Sequence, residues 1–263
     1  MDLGLKGKVA LVAASSKGLG FAVAEELATE GSQLIMNGRG EESLERASSS
    51  ITERFGVEVL AVAGDVSHRA DAQRIVNAGI DRFGKIDILV TNSGGPPAGR
   101  FDELSSDQWD DAVRLLLTSV TDLTRLVLPG MKERRWGRIL NITSIAAKQP
   151  VANLILSNSL RAGVTGFSKT LAAEVGEYAI TVNTILPGYT ATERVDELAE
   201  HIATKEGIDA GEVRKRWESE IPLGRLAEPR EFAAMAAFLV SERASYITGS
   251  SIAVDGGWIR SLF

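Results

Sequence analysis

Six positions spaced along the chain have the residue types that chemistry needs: Gly18, Arg39, Asp65, Asn92, Ser144 and Pro187. The first belongs to the run Ser15-Ser16-Lys17-Gly18-Leu19-Gly20. An apolar stretch precedes it, and Phe21, Ala24, Leu27 and Ala28 follow at helical spacing. A small-residue turn between a strand and a helix leaves backbone N–H groups unpaired at the positive end of the helix dipole. That arrangement binds phosphate groups. Two cations, Lys17 in the turn and Arg39 further on, add positive charge to such a site.

The elements that must position these residues alternate. Short apolar runs at 9–13, 33–37, 57–63, 86–91, 138–143, 180–186 and 251–254 read as strands. Helical patterns lie between them: one after the glycine turn and closed by Gly31, then 41–55, 69–83, 106–134 (broken or closed near Pro129-Gly130), 154–176, 192–219 and 229–241. Unbroken alternation with no flexible linker predicts one domain over 1–263. Its fold is α/β, a Rossmann-type doubly wound parallel sheet of six to seven strands between two helix layers. In such a fold ligands bind beyond the carboxyl ends of the strands. All six positions fall at or near those ends.

Composition narrows the classes. The 263 residues are 44% apolar and 24% charged, the balance of an ordinary globular protein. A net charge of −6 argues against nucleic acid and against an anionic membrane surface as partners. The absence of cysteine removes disulfides and thiolate metal sites, and the two histidines, His68 and His201, read as solvated surface residues; no metal site is expected. No apolar run reaches the ~18 residues of a membrane span, and residues 1–12 lack the apolar core of a signal peptide. A cytoplasmic setting is expected.

With the ordered motifs in view, the chain resembles the short-chain dehydrogenase/reductase family over nearly its whole length. Ala13-Ala14-Ser15-Ser16-Lys17-Gly18-Leu19-Gly20 stands against the family's TGxxxGxG and Asn92-Ser93-Gly94 against NNAG. Asn141-Ile142-Thr143-Ser144 stands against NISS and 183–188 against NxxxPG; Gly64-Asp65-Val66 and Asp255-Gly256-Gly257 also match. The nearest group is that of the 3-oxoacyl-ACP reductases. The resemblance implies a dinucleotide held by Ala14, Ser16, Lys17, Gly18, Leu19 and Gly20. Asp65 and Val66 would hold the adenine edge, Asn92 and Gly94 would pack near the ribose, and Pro187 and Gly188 would line the nicotinamide. An acidic residue after the second strand would select NAD(H). Here that place holds Gly38 followed by Arg39, so Lys17 and Arg39 favour NADP(H), with NAD(H) the lesser alternative. The family also implies a homotetramer through the long helices at 106–134 and 154–176, a dimer remaining open, and a substrate lid over 190–223.

The catalytic frame departs from the family. Ser144 keeps the serine place, but Ser157 stands in the tyrosine place and Arg161 in the lysine place. Leu116 stands in the asparagine place, and Leu154 in the place an enoyl-reductase variant would give its tyrosine. A phenol starts near pKa 10, whereas a serine hydroxyl is far less acidic and shorter by a ring. A guanidinium keeps the charge of lysine but does not relay a proton. Lost general acid catalysis removes typically ~10²–10⁴-fold in rate, which leaves a slow reductase if cofactor and substrate are still held. Substitutes for the missing acid are a water held by Ser144, Ser157 and Arg161, Tyr189, or Lys148. The last two read more simply as loop packing and a solvated charge. The expected function is an NADP(H)-dependent oxidoreductase of a small-molecule carbonyl/alcohol pair, with Ser144 polarising the carbonyl and Arg161 anchoring the cofactor ribose. The rival is a dinucleotide-binding sensor or inactive partner subunit.

Overall fold

The computed structural model describes residues 2–262. Among them seven parallel strands form one sheet in the order β3-β2-β1-β4-β5-β6-β7. They are β1 (Val9–Val12), β2 (Gln33–Gly38), β3 (Val59–Ala63), β4 (Ile88–Thr91), β5 (Gly137–Ile142), β6 (Ile180–Pro187) and β7 (Ser251–Val254). Alternate residues of β1 enter opposite layers. Ala10 and Val12 pack with Val23, Leu27 and Phe232 on one face, and Val9 and Leu11 with Ile75, Leu123 and Val182 on the other. A strand covered on both faces has no polar side, which explains why β1 reads as a continuous apolar run.

The helices follow the predicted alternation. These are α1 (Gly18–Thr29), α2 (Glu41–Phe55), α3 (Arg69–Phe83), α4 (Ser106–Val113), α5 (Ser119–Arg134), α6 (Ile155–Val175), α7 (Glu193–Glu206), α8 (Ala210–Glu220) and α9 (Pro229–Leu239). Helices α2 and α3 end where Gly56 and Gly84 take the left-handed conformation, and α9 starts on Pro229.

Two expectations need correction. The 106–134 pattern does not break at Pro129, which lies inside α5; the helix runs on until Arg135 turns left-handed at φ 52. The irregularity is instead a wide π turn over Arg114–Thr118. Within this turn Leu116 packs against Ala112, Leu156 and Leu160. The 192–219 pattern is two helices, because Gly207 at φ 68 ends α7. Ala199, Ala203, Val213 and Trp217 then pack α7 against α8. A bridge between Thr190 and Ala227 draws the two ends of this excursion together.

Neighbouring β1 and β4 send their chains to opposite sides of the sheet, and the crevice between them opens at the carboxyl edge. Among the described residues no helix is long and apolar enough to cross a membrane.

Candidate active site

The glycine turn is built to leave α1 open. No side chain caps its N-terminus. Ala14 and Gly18 take positive φ, 46° and 60°. A Cβ at Gly20 would lie 2.2 Å from the Ala14 carbonyl oxygen, so only glycine lets the helix start this close to the strand. Asn92 Nδ2 donates to that same carbonyl at 3.2 Å, tying the end of β4 to the turn. Backbone N–H groups at the start of α1 are therefore left without a side-chain acceptor, which fits a dinucleotide diphosphate.

The polar groups beneath the turn are paired. Ser15 Oγ donates to the Val12 carbonyl at 2.8 Å and accepts from Asn37 N at 3.1 Å. Asn37 Nδ2 donates to the carbonyls of Val62 and Gly64, each at 3.0 Å. Asn37 thus locks the ends of β1, β2 and β3 together. Sequence reading placed it in a strand without a role. The signal was a buried amide in an apolar run, which must find partners. Leu19 packs against the core, and Ser16 sits so close to Gly38 that a Cβ there would meet its Oγ at 3.0 Å.

Lys17 and Arg39 are both exposed, yet neither is free of charge partners. Lys17 Nζ lies 2.5 Å from Glu193 Oε2 at the start of α7, and that carboxylate raises its pKa. Arg39 stands 3.9 Å from Asp65. The Asp65 carboxyl is partly buried, which opposes ionisation, but hydrogen bonds from Ser67 and the Arg39 charge hold it below the usual range. Val66 is buried. A Cβ at Gly94 would meet open space, whereas one at Gly188 would meet the Asp255 backbone at 2.7 Å. Gly188 and Pro187 continue the pairing of β6 with Val254 of β7.

Ser144 ends the β5 strand region, and its Oγ accepts from Ala146 N at 3.1 Å. The short turn it opens, Ile145–Ala147, packs on α6. Ser157 and Arg161 lie one turn apart on α6 and share a face. Arg161 Nη1 donates to the carbonyls of Ile142 and Thr143, at 3.3 and 2.9 Å. The structure therefore gathers Ser144, Ser157 and Arg161 at the carboxyl end of β5. Ser157 is 8% exposed, and its hydroxyl has no hydrogen-bond partner among the described residues. Burial pushes the Arg161 pKa down to about 10, and the Arg194 charge adds to the effect.

Three groups that sequence reading did not single out position this end. Thr91 Oγ1 donates to Asn141 Oδ1 at 2.6 Å, and Asn141 Nδ2 donates to Ser168 Oγ at 2.8 Å, a buried chain that fixes α6 on β4 and β5. Asn158 clamps the preceding loop by accepting from Val151 N and donating to its carbonyl. Arg194 reaches over Gly95, where a Cβ would lie 3.0 Å from Nη2. Polar residues within apolar strands pointed to the first chain; nothing in the sequence pointed to Arg194. Tyr189 stacks on Trp217 at 4.6 Å and meets Trp258 edge-on at 6.2 Å, and burial raises its pKa to about 12. These ring contacts fit the expectation of loop packing, and Lys148 is exposed.

The comparisons with known proteins agree with this architecture. A family model described as enoyl-(acyl carrier protein) reductase matches residues 13–259. The chain belongs to the short-chain dehydrogenase/reductase family. Within that family it is similar to the 3-oxoacyl-[acyl-carrier-protein] reductase of Vibrio cholerae, 35% identical over 255 residues and covering 97% of this chain and 98% of the relative. It is also similar to the D-beta-hydroxybutyrate dehydrogenase of Cupriavidus necator, 34% identical over 256 residues, 97% of this chain and 99% of the relative. The solved L-sorbose reductase of Gluconobacter frateurii, a complex with NADPH and L-sorbose, superposes with a TM-score of 0.95 at 37% identity over the full length of both chains.

Proposed function

We propose that the protein is an NADP(H)-dependent oxidoreductase acting on a carbonyl/alcohol pair, with Ser144 in the family's serine place and Ser157 and Arg161 in the places of its tyrosine and lysine. The observation that carries this reading is the gathering of those three side chains at the carboxyl end of β5, with Arg161 seated on the carbonyls of Ile142 and Thr143. The open N-terminus of α1 and the cradle at Gly20 would receive the dinucleotide diphosphate. Lys17 and Arg39, with no acidic residue directly after β2, would favour the 2′-phosphate. Asp65, Val66, Asn92 and Gly94 would line the adenosine and ribose, and Pro187 and Gly188 the nicotinamide side.

When bound, the dinucleotide supplies or accepts the hydride. The chain's own residues orient the carbonyl and manage its oxygen. Ser144 Oγ accepts a hydrogen bond from Ala146 N, which leaves its own proton for the carbonyl oxygen. Ser157, buried and unpaired, would order a water beside it as the proton source. Arg161 keeps its charge at neutral pH and stabilises negative charge without giving up a proton. The 190–223 segment would close over the substrate and exclude water. The same reading extends to a cytoplasmic setting and to a homotetramer, with a dimer the alternative that light scattering of the purified protein distinguishes.

Titration of NADPH and NADH fluorescence tests the cofactor, with NADPH expected to bind more tightly. Ser144→Ala tests the chemistry: turnover of a carbonyl with NADPH falls at least tenfold, and an unchanged rate removes Ser144 from the mechanism. A second reading, a dinucleotide-binding protein without catalysis, draws on the packing of Leu116 into the apolar cluster with Leu156 and Leu160. NADPH binding without turnover across a carbonyl panel selects it.

A further inference from the structure

We propose that Asp71 and Arg74, in the first two turns of α3, are positioning residues for the adenine of the dinucleotide: they fix the turn after β3 so that the Asp65 carboxylate and the Val66 N–H together select the base. This rests on the oxidoreductase reading, which seats adenosine at that turn, and adds the residues that set its base selectivity. Asp71 Oδ2 accepts from Asp65 N at 2.9 Å. Arg74 Nη2 donates to Asp71 Oδ1 at 2.8 Å and to the Ala63 carbonyl at 2.6 Å. The two side chains therefore hold the backbone on both sides of Gly64. A Cβ on Gly64 would lie 2.8 Å from Arg74 Nη2 and 3.2 Å from Asp71 Cγ, so glycine leaves room for this clasp. About half of the Arg74 side chain is exposed, and such an ion pair adds little stability by itself. What it adds is the position of a backbone segment.

Other contacts complete the turn. Gly64 N donates to the Gly38 carbonyl at 2.9 Å, and the Gly64 carbonyl accepts from Asn37 Nδ2 at 3.0 Å. His68 N donates to the Asp65 carbonyl at 2.9 Å. Ser67 N and Oγ both donate to Asp65 Oδ1, at 2.9 and 2.7 Å. Among the described residues, Asp65 Oδ2 and Val66 N have no hydrogen-bond partner. Arg39, 3.9 Å from that carboxylate oxygen, is beyond hydrogen-bond range. An ionised carboxylate only accepts and a backbone N–H only donates. Adenine offers the matching edge, an N6 amino donor beside the N1 acceptor. Hypoxanthine reverses both, with an O6 acceptor and an N1–H donor. A site built on fixed hydrogen bonds rejects an analogue that leaves its polar groups unmatched. The clasp matters here because both selecting atoms sit on the segment that Asp71 and Arg74 hold.

The test uses the full chain. NADPH and its hypoxanthine analogue, deamino-NADPH, are titrated by cofactor fluorescence, and reduced nicotinamide mononucleotide, which lacks the adenosine half, is titrated beside them. The unaltered protein is expected to bind NADPH at least about tenfold more tightly than deamino-NADPH. Asp71→Ala and Arg74→Met cut that preference to about threefold or less, while mononucleotide affinity stays within about twofold. Asp71→Asn, which keeps an oxygen for Asp65 N, retains more of the preference than Asp71→Ala. Gln73→Ala, on the same helix and bonded to Asn77, retains all of it. Should Asp71→Ala fail to fold, Arg74→Met carries the test. An unchanged preference in the folded variants overturns this proposal alone, as does equal binding of the two dinucleotides by the unaltered protein. Loss of mononucleotide affinity in step with NADPH also overturns it, because the clasp is then a general support of the fold. If the unaltered protein binds neither dinucleotide, the cofactor reading falls and this proposal falls with it.

Discussion

Two arginines stand at opposite ends of β5, one buried and one half-buried, and the chain treats them differently. Arg138, at the amino edge of the sheet, is 3% exposed and donates to the carbonyls of Gly137, Ala179 and Ser241. Its Nη2 lies 3.5 Å from Glu242, whose charge offsets the burial that lowers its pKa. Nearby Asp87 accepts from Val9 N and pairs with Lys85 and Arg134. At the carboxyl edge, among the described residues, Arg161 has two carbonyls and no carboxylate, the Ser157 hydroxyl has no partner, and no side chain caps α1. The amino edge is completed by the chain itself. The carboxyl edge keeps donors without a partner among the described residues, which supports the proposal that the same residue type is structural at one end of a strand and ligand-facing at the other.

The largest expected effect that would sharpen this contrast comes from filling the space the carboxyl edge keeps open. Gly20→Val places its Cβ against the Ala14 carbonyl and the Asn92 amide. NADPH binding, read by fluorescence titration, should weaken more than ~100-fold, about 3 kcal/mol. Near-normal affinity would mean the turn is not the diphosphate seat.

Exchanging each arginine tests the comparison directly. Arg138→Met leaves the carbonyls of Gly137, Ala179 and Ser241 without this donor, while the half-exposed Glu242 keeps Lys8 and Trp136, and should cost about 3 kcal/mol in denaturant unfolding, ~1 for each carbonyl. Arg161→Met should leave Tm unchanged or raise it by about 2–4 °C, the shift that ~1 kcal/mol produces in a domain of 150–250 residues, while lowering turnover at least tenfold. The sign follows from linkage. With the folded pKa near 10 and the unfolded value higher, the charged group costs stability below pH 10 and that cost is relieved as pH rises through 10. The advantage of Arg161→Met should therefore shrink above pH 10. Equal destabilisation by both substitutions would break the comparison.

Ser168→Ala is a smaller perturbation. It leaves Asn141 Nδ2 buried without its acceptor, at a cost of about 1–3 kcal/mol. Turnover should fall less than stability suggests, because the backbone of α6 stays seated by Val164, Leu171 and Val175. The smallest effect is expected at Tyr189. With its pKa near 12 it is neutral throughout the working range, so Tyr189→Phe should leave the pH–rate profile between pH 6 and 9 unchanged within about twofold. A profile that moves would return Tyr189 to the list of proton donors.

The sequence by itself determined the alternation, the doubly wound sheet and the carboxyl edge as the place to look, because apolar runs and glycine turns are local signals. The bounds of α2 and α3 follow from Gly56 and Gly84 in the same way. It also exposed the departures at Ser157 and Arg161, because a motif frame is a matter of spacing. Only the tertiary structure decided which polar groups found partners. That Asn37 joins three strands, that Thr91, Asn141 and Ser168 form one chain, and that Pro129 lies inside an unbroken helix while the distortion falls at Leu116 depend on neighbours distant in sequence. The placing of Arg194 depends on them most. It sits on a surface helix in a charged segment, and no local pattern separates it from its solvated neighbours. Its position over Gly95 arises from how the first turn of α7 settles on the glycine turn, a long-range contact that spacing along the chain does not encode.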